Sequence, residues 1–261
     1  MKIFINNSLH YGDVLLTRVI IDAFRRKYPH AEMLLQCRAP MQYLWADYGL
    51  KIFEAQQDYS LLNPTPQCPP GYEFFQTWFG TFSDILGYYG LSPTNQIHTI
   101  NRQMHYHNTH NFLDLPTKPE EAVLNLRDLG LQLAPNTILV ENGPAWSGQC
   151  NHGIGYYIGK LATEFPQFQY LCSHLPGVSM RNVHDGSKFN LLQLSDLSNK
   201  CVAFITQASG VNACTYTKHN LGKLRIFFGF NYPYKIWDNA ALVVQNYDQL
   251  AATLREKLCT K

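Results

Sequence analysis

A chain of 261 residues can form one large domain or two small ones, each with a sizeable core. With 46% hydrophobic and 15% charged residues it reads as globular, which excludes a disordered chain. A formal net charge of +2 gives no bulk electrostatic case for nucleic acid or an anionic membrane. The charge is uneven, with 10 Lys and Arg against 12 Asp and Glu through Gly130, and 11 against 7 beyond it.

The pattern opens with an apolar strand over 2–6 and an amphipathic helix over 14–28, with Arg25, Arg26 and Lys27 at its C-terminal end and Pro29 after it. A strand over 31–36, a short helix over 40–48 and a strand over 51–54 follow. This β-α-β-α-β alternation predicts a parallel sheet with crossover helices. Four prolines between 64 and 70 mark a loop. A helix is expected over 79–89, a polar His-rich stretch over 93–116, and a helix over 118–129 that stops at Gly130. Residues 131–136 read as a linker. The pattern then restarts with strands at 137–140, 168–172, 201–206 and 223–228, and helices at 155–165, 191–197, 210–218 and 247–258. Two such units, over 1–133 and 134–261, predict an α/β chain of two Rossmann-like domains whose parallel sheets face each other across a cleft, with ligands at the carboxyl ends of the strands.

The seven cysteines are odd in number and contain no C-x-x-C pair, and several lie in apolar runs. They read as reduced, which implies a cytoplasmic protein. The first apolar stretch is too short for a signal peptide, and no apolar run reaches membrane-spanning length.

Four places could carry chemistry. Tyr11-Gly12-Asp13 stands at the first strand-to-helix junction, where Asp13 either caps the helix or acts as a general base on an acceptor hydroxyl. Gln207-Ala208-Ser209-Gly210 follows an apolar strand and is either an anion site for a diphosphate or an ordinary turn with Ser209 as the cap. Glu141-Asn142-Gly143 ends another strand; it is a plain loop, or Glu141 binds a ribose or sugar hydroxyl with help from Asn142. His105, His107 and His110 match no zinc spacing and read as an exposed loop or an acceptor-contacting surface. The aromatic stretch 72–89 reads as core, and Phe228-Gly229-Phe230 as a loop or a flank for a nucleotide base. No Walker loop, no G-x-G-x-x-G fingerprint after the first strand and no G-x-S-x-G elbow occurs.

Tyr11-Gly12-Asp13-Val14-Leu15-Leu16-Thr17, with Arg25 to Pro29 behind it, resembles the N-terminal signature of the ADP-heptose:lipopolysaccharide heptosyltransferase family of GT-B glycosyltransferases, a glycosyltransferase family 9-like pattern in a short, divergent form. The second half is similar in order, through Asn142-Gly143-Pro144, the run 191–197, the strand 201–206 and Ser209-Gly210. The chain departs from the family in three places. Ala208 stands where the phosphate turn has an Asp, Asn151-His152 stands where a Lys is expected, and Glu141 replaces a His.

The resemblance implies metal-independent transfer from a nucleotide sugar to a glycan or glycolipid acceptor, with the nucleotide sugar as co-substrate and no cofactor. Asp13 would be the base, with His10, Tyr11 and Gly12 on the acceptor side. Glu141, Asn142, Gly143, His152, Gln207, Ser209 and Gly210 would bind the donor. It places the protein in the cytoplasm or at the inner face of the membrane, without nucleic acid as a partner. An inactive nucleotide- or glycan-binding protein and a nucleotide-sugar epimerase of the same architecture are the alternatives.

Overall fold

The computed structural model describes residues 1–7, 10–54, 68–76, 123–144, 150, 153–207, 209–230 and 241–259. The chain divides into two compact units, Met1–Asn125 and Leu126–Lys261.

In the first unit, strands β1 (Lys2–Asn6), β2 (Glu32–Cys37), β3 (Lys51–Glu54) and β4 (Glu73–Gln76) form one parallel sheet in the order β3-β2-β1-β4. Ile3, Phe4 and Ile5 are wholly buried, as a strand covered on both faces requires. Helix α1 (Tyr11–Lys27) buries Val14, Leu15, Val19, Ile20 and Phe24, and its last turn carries three cations where the dipole favours them. It ends at Tyr28, whose φ of −130° and ψ of 69° are non-helical, as the following Pro29 demands. Arg18 of α1 is fully buried. Its Nε donates to the Leu44 carbonyl at 3.0 Å, its Nη2 lies 2.5 Å from Asp47 Oδ1, and its guanidinium sits 4.4 Å from the Tyr48 ring centroid.

In the second unit, β5 (Thr137–Val140), β6 (Gln169–Cys172), β7 (Val183–Asp185), β8 (Ala203–Thr206), β9 (Leu224–Phe228) and β10 (Leu242–Val244) form a six-stranded parallel sheet. Its order is β10-β9-β8-β5-β6-β7, so the chain winds outward from β5 in one direction and then from β8 in the other. That is the doubly wound 3-2-1-4-5-6 order, with its switch point between β5 and β8. Helices α2 (Ile158–Glu164), α3 (Leu191–Ser198), α4 (Gly210–Cys214) and α5 (Tyr247–Leu258) accompany the strands. Ile138, Val140, Ile158, Tyr170, Ile205, Phe228 and Leu250 belong to one buried cluster. Asn190 opens α3 with a full capping box, exchanging hydrogen bonds with Gln193 at 3.0 Å each way.

Several expected elements differ. Helix α1 begins at Tyr11, three residues early, so Gly12 and Asp13 lie inside its first turn; the N-cap is His10, with no side-chain cap bond, and not Asp13. The segment 40–48 is a 3-10 helix over Ala39–Trp45. The expected helix 118–129 has no helical turn in its described part, 123–129. There the Leu129 and Leu131 N–H groups donate to the Asp196 carboxylate at 3.1 and 2.9 Å, so a tertiary partner takes the backbone donors a helix would have used. The stretch read as a linker is thereby fastened to α3. The helix expected over 210–218 stops at Cys214 and resumes as a 3-10 turn at Lys218–Asn220. Strands β4, β7 and β10 were not expected. The helix 79–89, the loop 93–116 and the histidines 105, 107 and 110 lie outside the described residues.

Candidate functional site

A doubly wound sheet leaves a crevice beyond the carboxyl ends of the strands at its switch point. In the second unit that is the end of β5 and β8, where Glu141 and Gln207 follow the last strand residues. The Glu141 backbone N–H still donates to Ile205 at 2.8 Å, so the ladder carries the residue to the very end of the sheet. Its side chain then turns inward and is 4% exposed. The carboxylate accepts the Gln207 N–H at 2.7 Å on one oxygen and the Ser209 hydroxyl on the other. Ser209 in turn accepts the Val211 N–H at 3.0 Å and caps α4. Burial pushes the Glu141 carboxyl up to about 7, against the pull of the two hydrogen bonds.

The loops around this carboxylate are pinned to one another. The Gln207 side-chain amide donates to the Gly143 carbonyl at 3.2 Å. Asn142 grips the backbone of His174 twice, donating to its carbonyl at 3.0 Å and accepting its N–H at 2.9 Å. The His174 ring then lies over Gly143, where a Cβ would come within 2.3 Å of it. At Gly155 a Cβ would stand 2.9 Å from the Asn142 carbonyl, which accounts for the glycine at the start of the turn leading into α2. Beyond His174, residues 175–180 line an open concavity of about 490 Å³ with Leu175, Pro176, Val178 and Met180, and Asp185 at its edge.

Glu141, Asn142, Gly143, Gln207 and Ser209 are therefore brought together, with Gly210 next in line at the start of α4. Both oxygens of Glu141 are bonded within the protein. His152 and Ala208 lie outside the described residues. His174 was missed, and nothing local marks it; it enters the site because β6 neighbours β5.

In the first unit, β1 and β4 flank the corresponding switch point. His10 and Tyr11 are exposed there and Gly12 is buried in the helix. The Tyr11 ring centroid is 6.4 Å from that of Tyr43. The Asp13 backbone is the third residue of α1, and its side chain lies outside what is described. Among the described residues no group of three or more His, Cys, Asp or Glu could hold a metal ion, and no helix is long and apolar enough to cross a membrane.

The fold as a whole is similar to solved glycosyltransferases. A glycosyl transferase family 9 protein from Veillonella parvula DSM 2008 superposes with a TM-score of 0.60 at 13% identity, over 98% of this chain and 91% of that one. The E. coli heptosyltransferase WaaC, solved with ADP, gives 0.59 at 8% identity, over 99% of this chain and 98% of that one. The iron-containing dodecameric glycosyltransferase TibC from enterotoxigenic E. coli H10407 gives 0.57 at 11% identity; the match takes in 94% of this chain and 62% of TibC. No family model matches the chain, and no curated protein sequence does. The architecture, α/β with two parallel sheets, is that of GT-B glycosyltransferases.

Proposed function

We propose that the protein is a glycosyltransferase that moves a sugar from a nucleotide-sugar donor to a glycan or glycolipid acceptor. The observation that carries this reading is the pairing of a GT-B fold along the whole chain with a built cluster of side chains at the switch point of the second sheet. In this reading the donor diphosphate meets the Gln207–Gly210 turn. The nucleoside lies toward the apolar concavity of 175–180. Backbone dipoles and nearby cations stabilise the departing diphosphate. Asp13 is the base that takes the acceptor hydroxyl proton. Heptose as the donor sugar and a lipopolysaccharide acceptor follow from the resemblance alone.

The test is a panel of nucleotide sugars, read by thermal stabilisation and by donor hydrolysis. Failure of every member to stabilise the protein removes the donor site. Asp13→Asn should abolish turnover and leave donor affinity within about threefold; equal activity would reduce Asp13 to a helix residue. Activity that survives dialysis against a chelator supports metal-independent transfer, and its loss assigns a metal, a point sharpened by the iron in TibC. One observation favours a second reading. Glu141 already uses the Gln207 and Ser209 donors, which suits a protein that binds nucleotide without transferring sugar. Binding without turnover on any acceptor would select it.

A further inference from the structure

The crevice between β5 and β8 is where this sheet order leaves room for a ligand, and the buried Glu141 follows β5 at that end. The Glu141 carboxylate is held there by one backbone N–H and one hydroxyl, the same kinds of donor that would hold a phosphoryl oxygen. Among the described residues no cation bonds to it. The described titratable groups around it include Cys172 at the end of β6, Cys214 of α4, Arg225 of β9 and His174 after β6. The Cys214 thiol is pushed up by burial and by Glu141 itself. Arg225 donates to Asn212 at 3.0 Å and to Thr215. His174 lies over Gly143. Among the described residues an ionised Glu141 is thus a buried negative charge supported by dipoles, and it occupies the two donors that the diphosphate would use.

We propose that donor binding is proton-coupled at Glu141: a nucleotide sugar's diphosphate enters the switch-point crevice only as Glu141 takes up one proton from solvent. This rests on the donor reading above. Protonation removes the like charge. It also leaves one carboxyl oxygen without need of the Ser209 hydroxyl, which can then turn to a phosphoryl oxygen. No bond other than the new O–H forms, and no further reactant is needed. The carboxyl already titrates near neutrality because of its burial, so the proton is gained at little cost near pH 7. Glu141 is in this way a specificity-determining residue: it admits the diphosphate in one protonation state and opposes it in the other.

The sign follows from linkage. Below about pH 7 Glu141 is neutral and donor affinity is level; above it, affinity falls by about tenfold per pH unit until the carboxyl of the complex also ionises. The probes are ADP-glucose, UDP-glucose and GDP-mannose, whose diphosphate diesters do not titrate between pH 6 and 8.5. Calorimetry over that range, in buffers of different ionisation enthalpy, gives both affinity and proton uptake. The native protein should lose about tenfold per unit at the alkaline end and take up close to one proton per donor there. Glu141→Gln should bind without pH dependence or proton uptake, as tightly at pH 8.5 as the native protein at pH 6. Ser209→Ala removes a hydrogen bond that lowers the carboxyl, so it should move the fall to higher pH. That variant and the native proton count decide the matter if Glu141→Gln fails to fold. PH-independent native binding without proton uptake, or the native slope persisting in Glu141→Gln, overturns this inference and leaves the donor reading standing. No binding of any probe to either protein at any pH overturns both.

Discussion

Replacing Glu141 by Gln should change how the stability of the second unit depends on pH, with no ligand present. In the folded chain burial pushes this carboxyl up to about 7, from an ordinary value of 4.5 in the unfolded chain. Between those values the folded state holds more protons than the unfolded state, so stability falls as pH rises. Below 4.5 the group is protonated in both states and costs nothing; above 7 it is ionised in both and the cost is constant. At ~1.4 kcal/mol per pH unit, the interval corresponds to about 3 kcal/mol. Gln fills the same space and does not titrate, so the difference between native and variant isolates this group. Urea unfolding followed by far-ultraviolet circular dichroism, from pH 4.5 to 8, should show the native protein losing about 3 kcal/mol relative to the variant. Stability curves that run parallel within ~0.5 kcal/mol would refute the account of Glu141 as a buried, dipole-held carboxylate.

Three further outcomes are expected. Arg18→Met should lower the stability of the first unit by about 2–4 kcal/mol in urea unfolding, because it removes the donor to the buried Leu44 carbonyl and the cation beside Asp47. Gly186→Ala should cost about 1–3 kcal/mol, since its Cβ would stand 2.6 Å from the Cys172 carbonyl, whereas Gly177→Ala meets nothing within 4 Å and should stay within ~0.5 kcal/mol. In the native protein at pH 8 a thiol reagent should modify Cys259, which is exposed, well before Cys172 and Cys201, whose thiols burial pushes up to about 12; Cys259→Ser should remove the fast phase among the described cysteines.

The elements that were legible in the sequence are those whose burial is two-sided or whose pattern is long. The strands β1, β5 and β8 are apolar runs closed by polar turns, and α1 and α5 have a full apolar face. The start of α1 was hidden because His10 caps without a side-chain bond and Gly12 resembles a turn residue while sitting in a helix. Strands β7 and β10 are three residues each and lie at the sheet edges, where little burial shapes their composition. The helix expected to end at Leu129 failed for a reason no local pattern carries, a carboxylate 65 residues away in sequence from Leu131. The candidate site shows the same division. Each strand-end loop was visible by itself. The bond between Glu141 and Ser209, 68 residues apart, exists only because the chain doubles back to lay β8 beside β5.

The fastening of residues 129–131 to α3 also decides where the molecule could be cut. The Asp196 side chain is 1% exposed, and its oxygens take two backbone N–H groups with Lys200 at 3.7 Å. Lys200 returns to the Leu131 carbonyl, so strap and helix close a small ring of charge and backbone. A fragment starting at residue 134 would keep every strand of the six-stranded sheet yet lose both amide donors to that carboxylate, at a cost of about 1 kcal/mol before any core contact is touched. A fragment starting at Leu126, where the second unit begins, carries its own strap.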